Sequence, residues 1–118
     1  MSHIKISDFS DKAFSANEGQ QLREKINQVF DNHEDVVEVD FEGITVFATM
    51  FFNNSIGYFV KKLSPDECER RIILLNLSEL GDNTYRHSFD INKTAYNTPV
   101  EINDELIKMV ETVVTSNL

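Results

Sequence analysis

The stretch RRIILLNL, residues 70–77, limits the fold more than any other part of the chain: two arginines lead into an almost continuously apolar run. A strand with one wet face alternates apolar and polar residues, because successive side chains point to opposite faces of a sheet. An unbroken aliphatic run is the pattern of a strand covered on both faces, typical of parallel sheets flanked by helices. Parallel neighbours also need long crossover connections, so helices are expected between the strands.

The remaining periodicities supply those elements. HIKIS, residues 3–7, alternates and predicts a first strand, and DFSDKAF, residues 8–14, predicts a second that folds back beside it. SANE, residues 15–18, has the form of a capping box, with Ser15 bonding backbone amides and Glu18 reaching back. Leu22, Ile26, Val29 and Phe30 follow at helical spacing, which predicts an amphipathic helix over 17–31. DVVEVDF, residues 35–41, is the next strand, followed by a loop over 42–48 with GITVF tucked inward. From Thr49 a helix is expected to about Leu63, where Ser64-Pro65 stops it, since a residue before proline is pushed out of helical geometry. LGDNTYRHSFDIN, residues 80–92, predicts a shorter helix opened by Asp82 or Asn83, with Tyr85 and Phe89 inward. TPVEI, residues 98–102, fits either an edge strand or a loop, and Ile102, Leu106, Val110, Val113 and Val114 mark a last helix capped by Asn103 or Asp104. Together these predict an α/β protein: a single-layer sheet of about four strands, mostly parallel or mixed, covered by helices in one domain over 1–118.

Composition narrows the function. With 20 acidic against 11 basic side chains, the net charge of −9 repels phosphate backbones and anionic lipid, so neither nucleic acid nor a membrane is expected as a partner. The amino-terminal MSHIKISDFS has no signal-peptide character and no apolar stretch is long enough to span a bilayer, which together predict a cytoplasmic protein. Cys68, the one cysteine, has acidic neighbours that disfavour a thiolate, so an inert thiol is expected. His3, His33 and His87 are scattered, with no second ligand at metal-binding spacing. DNHED, residues 31–35, lacks the glycine and alternating ligands of a calcium loop and reads as a solvated helix end. No nucleophile elbow, P-loop or dinucleotide turn occurs, so no catalytic residue, metal or cofactor is expected.

The helix expected over 49–63 carries more apolar surface than one buried stripe needs. With Ile56 at the centre of the stripe, Phe52, Phe59, Val60 and Leu63 complete a core-facing side at 100° per residue. Phe51 and Tyr58 then fall on the opposite side with Asn54 between them and Met50 beside them. That face predicts either a second helix packed over it or a partner-binding surface made of Met50, Phe51, Asn54 and Tyr58. At the head of the helix, Thr49 suits an N-cap. It also allows a phosphate acceptor, because free amides and the helix dipole favour an anion there. Asp40, at the end of the preceding strand, is expected to order the loop by accepting amide hydrogen bonds.

The segment VVEVDFEGITVFATMFFNN resembles the central motif of STAS domains, the fold of bacterial anti-sigma factor antagonists. There a strand ends in Asp, a short loop follows, and an Asp-Ser pair opens the next helix; here these positions hold Asp40, Glu42 to Phe47, and Ala48-Thr49. DFEG at 40–43, Phe52 and the helix segment EGQQLREKI bring the chain closer still to a STAS-like family of unknown function. The resemblance implies an interaction domain whose junction hydroxyl, Thr49, is phosphorylated by a histidine-kinase-like ATPase of the GHKL type, switching protein binding off. Ala48 in place of Asp, Thr in place of Ser, and the bulky Met50 and Phe51 depart from that pattern. Two other classes stay open from the residues: a small nucleotide- or ligand-binding domain or enzyme using the sheet edge, and a structural homodimer.

Overall fold

The computed structural model describes residues 2–97. The expected edge segment 98–102 and last helix 103–114 therefore lie outside the described residues. Within them the chain folds as β1 (Ser2–Lys5), a short 3-10 turn (Ile6–Asp8), α1 (Ala16–Asp31), β2 (Val37–Asp40), α2 (Thr49–Asn54), α3 (Ile56–Leu63), α4 (Pro65–Arg71), β3 (Ile72–Leu75) and α5 (Glu79–Asn97).

The three strands form one sheet in the order β1-β2-β3, and both pairings are parallel, with Ile4 opposite Val39 and Val39 opposite Leu74. The described residues thus hold three strands where about four were expected. The segment 8–14 is not a strand: Ile6–Asp8 closes a 3-10 turn, and its β-pairing is a single parallel bridge from Ala13 to Phe47.

Alternation divides the sheet into two faces. Ile4, Ile6, Val37, Val39, Phe41 and Ile72 point into the core, where they meet Leu22, Ile26, Phe51, Phe52, Ile56, Phe59 and Val60 of the helices. His3, Lys5, Glu38, Asp40, Ile73 and Leu75 lie on the other face. The run 72–75 was expected to be covered on both sides, but Ile73 is exposed. β3 is an edge strand of the described sheet, and Ile72 and Leu74 alone turn toward the helices.

α1 starts as its sequence dictates. The Glu18 amide donates to Ser15 Oγ at 3.1 Å and the Ser15 amide donates to Glu18 Oε1 at 2.8 Å, so the capping box is closed. Ser10 also donates to Glu18, and these bonds hold the Glu18 carboxyl below its ordinary range despite its partial burial. α4 was not anticipated. PDECERR has too few apolar residues for a periodic pattern, yet Ser64 caps it, Pro65 fits its first turn, and only Pro65 and Cys68 are buried. Burial, and then Glu69, push the Cys68 thiol up to about 12, so it stays protonated and unreactive.

The most consequential departure lies in the segment 49–63. The expected single helix is broken at Ser55, whose φ of −115° and ψ of −94° leave helical geometry. Ser55 is fully buried and its hydroxyl donates to the Phe51 carbonyl at 2.8 Å, replacing a backbone partner by a side-chain one. The break resets the helical phase. Phe51 and Phe52 both turn inward, and the face assigned by projecting from Ile56 does not continue past Ser55.

α5 is longer than the sequence suggests, 19 residues, and Ser78 opens it instead of Asp82 or Asn83: the Gly81 amide donates to Ser78 Oγ at 3.1 Å. A buried polar seam fastens it to α2. Ser88 Oγ and Asn92 Nδ2 both donate to Asn53 Oδ1, at 2.5 and 3.0 Å, and Asn92 Nδ2 also donates to the Ser88 carbonyl at 2.8 Å. Each buried polar atom in the seam has a partner, so the seam orients α5 without the penalty of an unsatisfied group.

Candidate functional site

In a parallel sheet the loops after the carboxyl ends of the strands gather on one side, where binding sites of open α/β sheets usually lie. Here those loops are 6–15 after β1, 41–48 after β2 and 76–78 after β3. They are tied together at the backbone. The Ala13 amide donates to the Val46 carbonyl at 2.9 Å and the Ala48 amide donates to the Ala13 carbonyl at 3.0 Å.

Asp40 sits beneath this surface at the end of β2, almost fully buried. Its Oδ1 accepts the Glu42 amide at 2.9 Å and the Asn76 side-chain amide at 2.8 Å, which joins the loop after β2 to the end of β3. Asn76 reaches it from a left-handed backbone, φ 56°, a conformation asparagine tolerates better than most residues. Gly43, at φ 83°, takes the turn that follows. The Asn76 bond, then the Glu42 amide, then His3 and Lys5 hold the Asp40 carboxyl below the usual range against the opposing effect of burial. His3 Nε2 lies 3.5 Å from Asp40 Oδ2.

The sign of the pH effect follows. A carboxyl whose folded-state value is lowered contributes stability that is complete above its unfolded value, about 3.9, and is lost as pH falls through the lower folded value. Wild-type stability is therefore expected to decline below about pH 4. Asp40→Asn should be less stable at neutral pH and show a shallower acid decline. Urea titrations of both proteins across that range check this, and parallel pH profiles would remove Asp40 from the account.

α2 begins one residue earlier than a threonine cap requires. Ala48 is the N-cap, in extended geometry, and no side chain caps the helix. Thr49 is the first helical residue and half-buried, so the N-cap role expected of it does not hold. Met50 is 55% exposed, as a surface residue should be, whereas Phe51 is 0% exposed. Phe51 is a correction to the sequence reading. Its ring packs edge-on against Phe52 and Phe41, with centroids 5.2 and 6.3 Å away. The helix that covers it is α1, which Gly19 lets approach so closely that a Cβ there would lie 2.5 Å from the Phe51 carbonyl oxygen. Asn54 is half-buried and folds back, its Nδ2 donating to the Met50 carbonyl at 2.8 Å. Tyr58 is half-buried on α3, with Arg23 and Lys62 over its ring at 5.0 and 5.5 Å. The four residues assigned to one surface are thus dispersed, and of them only Met50 stands out at the sheet's carboxyl end.

Three residues adjoin that region, and one of them is a correction: GITVF, residues 43–47, is expected to tuck inward, yet of it only Ile44 is buried and Val46 is exposed. Phe14, Val46 and Leu80 are 50%, 45% and 60% exposed, and each belongs to a segment that meets the start of α2. Phe14 follows Ala13, whose carbonyl binds the Ala48 amide, and Val46 supplies the carbonyl that binds Ala13. Leu80 adjoins Gly81, where a Cβ would lie 2.7 Å from the Phe47 ring. No local pattern could have revealed this grouping, because the residues are distant in sequence.

Among the described residues no helix is long and apolar enough to cross a membrane, and no group of His, Cys, Asp or Glu is placed to hold a metal ion. What the site offers is an apolar surface on ordered loops.

A small parallel sheet with helices packed on it, whose β2-to-α2 junction carries DFEG and Thr49, defines a STAS-like α/β domain. Residues 18–82, just over half of the chain, match the family described as the STAS-like domain of unknown function, and the chain belongs to that family. No curated protein and no solved structure matches it.

Proposed function

We propose that this chain is a bacterial, cytoplasmic regulatory domain that works by docking a protein partner on the carboxyl end of its sheet. The observation that carries this reading is the strong exposure of Phe14, Val46, Met50 and Leu80, which stand on or beside segments that adjoin the start of α2. Large apolar side chains held out on ordered loops cost solubility and contribute nothing to the core, which makes a contact surface the economical explanation. Aromatic and methionine side chains are also enriched in interface cores.

Thr49 is the proposed control point. It is the first residue of α2, directly before Met50, and no side chain caps the helix there. A GHKL-type, histidine-kinase-like ATPase partner would transfer the γ-phosphoryl group of ATP to Thr49 Oγ1, releasing ADP and the hydroxyl proton. The product carries about −1.5 to −2 charge beside an apolar contact. Closing apolar side chains over it strips its hydration, so docking weakens.

Two substitutions test the switch. Thr49→Ala should change stability by no more than about 0.5 kcal/mol, because no cap is lost, and should leave partner capture intact. Thr49→Asp should reduce capture by about tenfold or more, the effect of one lost anchor. The partner is taken from native cells by tagged full-length protein, and the recovered protein is weighed for a phosphoryl group. Wild-type capture by both variants, with no phosphoryl mass, would end the switch.

A further inference from the structure

We infer that the partner segment is an amphipathic helix whose apolar side is flanked by lysine or arginine. This rests on the docking reading above and assigns its chemistry. Phe14, Val46, Met50 and Leu80 are exposed on segments that carry an excess of carboxylates. The segments that build this end, 6–18, 41–50 and 76–82, hold Asp8, Asp11, Glu18, Glu42, Glu79 and Asp82 against the single cation Lys12. From outside them, Lys5 approaches Glu42 at 3.8 Å, Arg86 binds Asp82 at 2.8 Å, and Lys25 reaches over Phe9 beside Asp8, which leaves Asp11 and Glu79 as exposed carboxylates away from these cations. A partner with acidic flanks would meet the net negative charge of these segments, and a basic one is steered in.

The backbone of the surface decides the partner's secondary structure. The patch is made of loops and helix starts, and the amides of Ala13 and Ala48 that could have received a strand are bonded to Val46 and Ala13. Strand addition needs a row of free main-chain groups. A helix satisfies its own backbone and presents anchors at intervals of three and four residues, so it docks by side chains alone. Thr49 directly precedes Met50 at the start of α2. A phosphate there would therefore oppose the partner's apolar side, while the carboxylates bind its cations.

The test uses the full-length protein and three fluorescein-labelled synthetic peptides. One is an amphipathic helix former with leucines on one side and lysines on its flanks. The second replaces each lysine by glutamate, and the third scrambles the first so that its leucines are dispersed. Fluorescence anisotropy should give binding to the first alone, weakening as sodium chloride is raised. Met50→Ser and Leu80→Ser should each weaken it by about tenfold. Asp11→Lys with Glu79→Lys should weaken it about fivefold or more, whereas Asp66→Lys with Glu69→Lys, on α4, should change nothing. Equal binding of the lysine and glutamate peptides, or of the scrambled one, overturns the inference. So does sensitivity to the α4 pair, or self-association of the protein that Met50→Ser abolishes. If the captured native partner depends on Met50 but is insensitive to salt, the basic-helix chemistry fails while the docking reading survives. If capture ignores Met50, both fail.

Discussion

Replacing Phe51 by alanine is expected to destabilise the protein by about 3–5 kcal/mol, the cost of emptying a fully buried phenylalanine site. The ring is 0% exposed and meets Phe41 and Phe52 in a cluster that continues to Phe47 and Tyr85. Truncation removes its transfer energy and leaves a cavity lined by large rings, which cannot collapse into it without leaving their rotamers. Against a total stability of about 5–15 kcal/mol for a domain of this kind, the loss would bring the protein close to unfolding. Met50→Ala, one residue away but 55% exposed, should change stability by no more than about 0.5 kcal/mol. Urea unfolding of the two variants side by side separates core from surface. Equal, small effects would place Phe51 on the outside of the helix and overturn the break at Ser55.

The second large effect is expected at Gly19. A Cβ there would lie 2.5 Å from the Phe51 carbonyl oxygen and 2.9 Å from Asn54 Cβ, both fixed parts of α2. Neither neighbour is the movable end of a side chain, so α1 and α2 must separate. At Gly57 the nearest atom is Asn92 Nδ2, at 2.6 Å, and part of that overlap is relieved by turning the amide. Gly19→Val adds two methyl groups to the clash and should cost about 3 kcal/mol, the upper range of overpacking. The better helix propensity of valine over glycine offsets only a few tenths of that. Thermal unfolding checks it. A variant as stable as wild type would mean that the two helices do not pack as closely as described.

These two residues also mark where the sequence could be read and where it could not. The capping box of Ser15 and Glu18 is local, and it formed where the sequence places it. The parallel sheet followed from the apolar character of Ile72 to Leu75 and the helical patterns between strands, because sheet type is bound up with its connections. The break at Ser55 was not legible. A serine in a helical pattern often donates back to its own turn without ending it, as Ser55 donates to the Phe51 carbonyl, so the residue type alone does not mark the break. Projection of faces past that point failed with it, and Phe51 moved from surface to core. α4 escaped notice because its buried contribution is just Pro65 and Cys68. The surface at the carboxyl end was legible only at Met50. Phe14, Val46 and Leu80 join it through backbone bonds and helix packing that no window of sequence contains.

The central claim is that the exposed Met50 at the start of α2 belongs to a contact surface. The most direct measurement is capture of the native partner by full-length Met50→Ser, with unfolding curves confirming that the variant is as stable as wild type. Capture should fall by about tenfold, the loss of one interface anchor. Undiminished capture by the folded variant would contradict the claim.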